Sequence, residues 1–214
     1  MFRLLLVLFV ILTPGIGSAQ SVLVLGDSLS AAYGMPAEQG WVALMRQRLE
    51  LRSPGLEVVN ASISGETTQG GLTRLPSLLE RHRPGLVLVE LGANDGLRGT
   101  PLPVIRQNLE QLISLSQAGG ARVLLIGVRL PPNYGPRYSE GFFNLFVEVS
   151  ESLQVPRVPF LMDGVALDRG LMQDDGLHPN AAAQPRLLDN VWLHLEPLLP
   201  DPATGVTQAI APQG

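Results

Sequence analysis

Two residue types are missing from this 214-residue chain, and each absence removes a class of chemistry. Lysine is absent: all fifteen basic residues are arginine. That excludes a Schiff-base mechanism and a nucleotide loop of the G-x-x-x-x-G-K-[ST] type, whose lysine reaches the phosphates. Cysteine is absent too, which removes disulfides, thiolate nucleophiles, cysteine-ligated zinc and iron–sulfur clusters. Histidine is scarce, at His82, His178 and His194, and no H-E-x-x-H spacing occurs, so a histidine-rich metal site is not expected. A nucleophile, if there is one, must be a Ser or Thr hydroxyl, and three histidines compete to serve as its base. Positive charge is also short: the formal net charge of −4 argues against a nucleic-acid partner.

Long apolar runs are rare as well, with one informative exception at the N-terminus. Arg3 precedes nine unbroken apolar residues, Leu4 to Leu12, followed by the breaker Thr13-Pro14-Gly15 and the small residues Gly17-Ser18-Ala19. This pattern reads as a secretory signal peptide over residues 1–19, cut after Ala19. The run is well short of the roughly twenty residues that span a bilayer, so stable membrane insertion after cleavage is not expected. The mature protein is expected to be exported, periplasmic or secreted. Residues 20–199 form a single domain, long enough to bury a core without staples. Residues 200–214 are rich in Pro, Ala, Thr and Gly without apolar period, and read as a disordered tail.

Within the domain, short Val/Leu-rich runs alternate with helical patterns. Strands are expected at Val22–Leu25, Leu56–Asn60, Leu86–Leu91, Val123–Ile126 and around Val158–Phe160. Helices are expected on Trp41/Leu44/Met45/Leu49, on Leu72/Leu75/Leu79, from Pro101 on Ile105/Leu109/Leu112, on Phe142/Phe146/Val149/Leu153 and on Leu187/Val191/Leu195/Leu198. Gly92-Ala93-Asn94-Asp95-Gly96 reads as a loop, as does most of Leu161–Asn180. Repeated strand–helix alternation predicts an α/β fold with a parallel sheet between two helical layers. Right-handed crossovers then bring the strand-end loops, with Ser28, Gly65 and Asn94, to one edge.

Ser28 lies in Gly26-Asp27-Ser28-Leu29-Ser30, just past the first strand, where open α/β sheets place ligands. By itself it is as readily a turn or helix-capping hydroxyl. Gly65 and the Asn94 amide are candidate oxyanion donors beside the Ser28 N–H, yet a turn glycine and an Asx turn explain them equally well. Among the histidines, His82 sits at a charged helix end and His194 within the last helix without an acid at helical spacing. His178 follows Asp175 by three residues across a glycine, so the carboxylate can fold back onto Nδ1 and leave Nε2 free to take a proton. A tight turn or a divalent-cation loop would use the same residues. The second glycine of G-x-S-x-G is missing, which excludes that nucleophile elbow, and so is a Gly-rich dinucleotide fingerprint.

Taken together, G-D-S-L-S at 26–30, N-A-S-I-S-G at 60–65, G-A-N-D at 92–95 and D-G-L-H-P at 175–179 resemble the four blocks of the SGNH (GDSL-type) hydrolases, in family order. The similarity runs over about residues 21–199 and is nearest to the bacterial periplasmic thioesterase I/lysophospholipase enzymes, also called arylesterases. It implies a three-layer α/β/α flavodoxin-like domain with a five-stranded parallel sheet of order 2-1-3-4-5. It also implies Ser28 as nucleophile, His178 as base and Asp175 as its partner, with Ser28, Gly65 and Asn94 forming the oxyanion hole and no cofactor or metal. Ala32 stands where many members have Gly. The implied reaction is hydrolysis of lysophospholipid, acyl thioester or aryl ester bonds. Leu97, Pro131, Tyr134 and Met172 lie on loops near the expected site and are candidates to line an acyl groove. A carbohydrate acetyl-esterase of the same fold and a non-catalytic exported binding module are the alternatives.

Overall fold

A computed structural model describes residues 21–200. The signal-peptide expectation for residues 1–19 and the tail expectation beyond Pro200 lie outside the described residues. Five strands, β1 (Ser21–Gly26), β2 (Glu57–Asn60), β3 (Leu86–Glu90), β4 (Arg122–Ile126) and β5 (Arg157–Val158), form one parallel sheet in the order β2-β1-β3-β4-β5. This is the flavodoxin-like order that the family resemblance implies. Strand ends move by a residue or two: β2 begins at Glu57 and β3 stops at Glu90. β5 starts earlier and is only two residues long. Pro159 follows it and has no N–H to carry the ladder on.

The helices are α1 (Trp41–Arg52), α2 (Thr68–His82), α3 (Ala93–Leu97), α4 (Leu102–Ala118), α5 (Pro136–Ser152) and α6 (Gln184–Leu195). α1 packs beside α6, and α2, α4 and α5 form a second row, so the sheet lies between two helical layers. β1 and β3 are buried along their whole length, which is why their sequences are nearly continuous Val/Leu runs rather than alternating ones. Each fully buried Val or Leu contributes about 1.5–3 kcal/mol relative to exposure. Three polar residues interrupt this apolar centre at one place: Asp27, Ser30 and Glu90 are all buried where β1 and β3 end.

One expectation is corrected here. Gly92–Gly96 is not a loop, because the chain enters the five-residue helix α3 directly after β3. Gly92 makes the entry possible with φ at 116°, a conformation that residues with a Cβ rarely adopt. Asn, Asp and Gly disguise the helix because the same residues favour turns.

All strands point the same way, so their carboxyl ends share one edge. The chain leaves β1 towards β2 on one side and later returns to β3 on the other. The crevice between those two departures is the place such sheets offer a ligand.

Candidate active site

Gly26 ends β1 in register with Glu90 at the end of β3. The chain then turns tightly: the Asp27 carboxylate accepts the Leu29 N–H at 2.9 Å, and the Ala31 N–H donates to the Asp27 carbonyl at 2.9 Å. Ser28 stands at this turn, half-buried, with its Oγ 2.9 Å from His178 Nε2. The loop after β2 is tied down beside it. The Ile63 N–H donates to the Gly26 carbonyl at 3.0 Å, and Asn60 Nδ2 donates to the Ser30 carbonyl at 2.9 Å. Gly65 follows with φ at 80°, so its backbone already calls for glycine, although a Cβ there would meet only Arg98 Nη2, at 4.0 Å.

Asn94 sits in the first turn of α3 with Nδ2 3.0 Å from Asp27 Oδ2 and 3.0 Å from the Glu66 carbonyl. Both hydrogens of the amide are thereby engaged, one of them by a carboxylate. The Glu66 side chain is held in turn by Arg74, at 2.7 Å.

His178 is carried by a loop that braces itself. Asp175 Oδ2 lies 2.6 Å from His178 Nδ1, while Asp175 Oδ1 accepts the Leu177 and His178 N–H groups at 2.9 and 3.0 Å. Burial works to raise the Asp175 pKa but is outweighed by the His178 N–H, the imidazole and the Leu177 N–H, which hold it down at about 2. Asp175 is therefore a permanent anion on Nδ1. That favours the tautomer whose Nε2 accepts, the one able to draw the Ser28 proton.

Two residues in this arrangement had no role in the sequence reading. Gln173 Nε2 donates to the Tyr33 carbonyl at 2.8 Å and to the Pro179 carbonyl at 3.0 Å, a strap between the serine loop and the histidine loop. The Tyr33 ring lies against the His178 imidazole, with centroids 4.4 Å apart. Neither had a signal that periodicity or spacing would reveal. His82 and His194 are elsewhere: the His82 carbonyl accepts from Ser21 at the start of β1, the opposite edge of the sheet. Burial, aided by Arg157, lowers the His194 pKa.

A cavity of about 1070 Å³ opens beside Ser28, Asn94 and His178. Leu97, Pro131 and Met172 line it. Tyr134 does not: its hydroxyl donates to the Leu97 carbonyl at 3.2 Å, so the ring supports the wall from behind. The rest of the apolar wall includes Phe160, which the sequence reading put at the end of the fifth strand, and Met162 and Leu167 from the segment it marked only as loop-rich. Among the described residues, no cluster of three or more His, Asp or Glu side chains is placed to hold a metal ion. None of the described helices is long and apolar enough to cross a membrane.

A hydroxyl, an imidazole and a carboxylate in unbroken hydrogen-bond contact can ionise the hydroxyl as it attacks a carbonyl, with N–H donors nearby to take the charge that develops on oxygen. Known proteins resemble this chain over most of its length. The model of the GDSL-like lipase/acylhydrolase family matches residues 24–185. Esterase TesA of Pseudomonas aeruginosa is 53% identical over 182 residues, covering 85% of this chain and 90% of that protein. Thioesterase 1/protease 1/lysophospholipase L1 of Escherichia coli K12 is 46% identical over 190 residues, covering 89% and 90%. The crystal structure of a psychrotrophic esterase, EstA of Pseudoalteromonas, inhibited by monoethylphosphonate, superposes with a TM-score of 0.80 at 45% identity, covering 84% of this chain and 98% of that one.

Proposed function

The chain belongs to the GDSL-like lipase/acylhydrolase family and is a hydrolase of ester bonds, and from that premise we propose that it works through an acyl-enzyme on Ser28. Ser28 Oγ attacks the ester or thioester carbonyl while His178 Nε2 takes its proton. Asp175 stabilises the imidazolium that results. The oxyanion is held by the Ser28 and Gly65 N–H groups and by the Asn94 amide hydrogen that otherwise rests on the Glu66 carbonyl. His178 then protonates the leaving group, and water repeats the sequence to release the acid.

What carries this reading is the continuous line from Asp175 through His178 to Ser28, with contacts of 2.6 and 2.9 Å. The substrates it favours have an acyl chain to bury, because the cavity wall is largely aliphatic and aromatic. Lysophospholipids, acyl thioesters and aryl esters meet that requirement; an acetyl ester would leave the wall in water. Removal of residues 1–19 and export of the remainder complete the proposal, and N-terminal sequencing of the exported protein should begin at Gln20.

Labelling with a fluorophosphonate tests the nucleophile without choosing a substrate. A single phosphonyl adduct is expected on Ser28, lost in His178→Ala. An unlabelled chain, or an adduct on another residue, would overturn the mechanism and leave a binding module of the same fold.

A further inference from the structure

Behind Ser28 lies a pair of buried acids that the mechanism above does not use. Asp27 and Glu90 are both 0% exposed, at the ends of the two central strands. Glu90 Oε2 accepts the Asp27 N–H at 3.2 Å and the Ser30 hydroxyl at 2.7 Å, so the two buried acids are held side by side. We propose that Asp27 and Glu90 hold one shared proton between them and so act as a positioning pair for the Asn94 amide, an inference that rests on the acyl-enzyme reading.

The first support is charge. Two carboxylates buried this close together cannot both stay ionised unless a cation compensates. Among the described residues, no arginine forms an ion pair with either. The charged groups that face Asp27 are Glu90 and His178, and the one that faces Glu90 is Asp27.

The second support is the hydrogen-bond inventory. Asp27 spends Oδ1 on the Leu29 N–H and Oδ2 on Asn94, so its charge is satisfied. Glu90 Oε1 is buried and meets no donor, so an ionised Glu90 would bury part of its charge unpaired. The proton therefore rests on Glu90 and the charge on Asp27. Burial acts in the same direction, pushing Asp27 up to about 6 and, with the Asp27 charge adding to it, Glu90 well above its ordinary value.

The third is packing. A Cβ on Gly26 would lie 2.9 Å from Glu90 Oε2 and 2.8 Å from both Ser30 Cβ and Ser62 Oγ. Glycine at 26 is thus a matter of room: the strand end is pressed against the Glu90 carboxyl. With the charge fixed on Asp27, the bond to Asn94 is charge-assisted and sets the plane of the amide that serves the oxyanion.

Glu90→Gln and Glu90→Leu, assayed for kcat and KM on a p-nitrophenyl ester across the neutral pH range, separate this role from simple packing. Glu90→Gln keeps a neutral donor and acceptor and should stay within about 3-fold of the parent, because the amide can replace the protonated acid. Glu90→Leu should lose about 10²-fold in kcat, the scale of an ångström-sized misplacement, with KM nearly unchanged. Infrared spectra at neutral pH should contain the carbonyl band of a buried carboxylic acid in the parent and lack it in Glu90→Gln. An absent band, an unimpaired Glu90→Leu, or a Glu90→Gln as damaged as Glu90→Leu would each overturn the pair. The band is read without substrate, so it can fail in an active enzyme. Inertness to fluorophosphonate would instead overturn the acyl-enzyme reading while the band remained.

Discussion

The two halves of the site are built in opposite ways. The serine half is anchored in the sheet: Asp27, Ser30 and Glu90 are buried, their hydrogen bonds cross between strands, and both acids are pushed upward. The histidine half is a surface loop: the Asp175 side chain is 39% exposed, its partners come from the next three residues, and its pKa is driven down to about 2. Both halves contain an acid that steadies a working group, yet one acid shares a proton and the other stays ionised until strongly acid pH. The difference follows from environment. A carboxylate that must remain charged is placed in the open on N–H donors, and one buried without a cation keeps a proton nearby.

Ser28→Ala breaks the serine half outright and should have the largest effect. A loss on the order of 10⁴-fold or more in kcat is expected, by comparison with other triads. Asp175→Asn probes the histidine half and should cost less, about 10³-fold in kcat, because the amide keeps the loop's shape but favours the wrong imidazole tautomer, which a ring at the surface can leave by exchanging protons with water. Gln173→Ala cuts the strap between the halves without touching either pair, and about a 10-fold loss in kcat is expected from the looser geometry. Steady-state kinetics on one ester ranks all three. If Asp175→Asn fell as far as Ser28→Ala, the contrast between the halves would be wrong.

The same contrast bears on how much the sequence disclosed. Strand–helix alternation sufficed for the sheet and its helical layers, because fully buried parallel strands leave unmistakable Val/Leu runs. Asp175 and His178 could be paired from their spacing because the loop folds on itself. Glu90 was visible only as the one charged residue in an otherwise apolar strand, and its meaning depends on Asp27, which lies 63 residues away in sequence. Gln173 carried no signal, since its two partners are backbone carbonyls. Tyr134 stands outside the cavity lining, which the sequence could not show because a position on a loop does not say which way a ring turns. Contacts within a loop are legible in a sequence; contacts between strand ends are not.

Stability should divide the halves by sign as pH changes. Asp27, raised from 3.8 to about 6, makes the folded chain bind more protons than the unfolded one between those values. Stability from that group therefore falls as pH rises through the window. Asp175, lowered from 3.8 to about 2, contributes stability above its unfolded value and loses it as pH drops towards 2, weakly because it is exposed. Thermal melts should accordingly show a midpoint higher near pH 5 than near pH 6, by at most roughly 2–4 °C per pH unit. Asp27→Asn should flatten that slope while leaving the fall at strongly acid pH in place. A parent protein that gains stability steadily from about pH 4 to 6 would contradict the burial of charge in the serine half.

The smallest effect concerns how tightly the serine half is packed. Ala32 holds φ at 58° while 6% exposed, a left-handed conformation that costs a residue with a Cβ about 1–2 kcal/mol. Its buried methyl returns about 0.8 kcal/mol, and glycine would add its own entropy cost on folding, so Ala32→Gly should change stability by less than about 1 kcal/mol. The neighbour that constrains it is Gly40, where a Cβ would approach the Ala32 methyl to 2.8 Å. Gly40→Ala should therefore cost about 1–3 kcal/mol by overpacking in the parent. In the Ala32→Gly background the methyl is gone and most of that cost should vanish. Denaturant melts of the four proteins in the double-mutant cycle measure the coupling directly, and an additive cycle would mean that the loop yields around Ala32 instead of holding it.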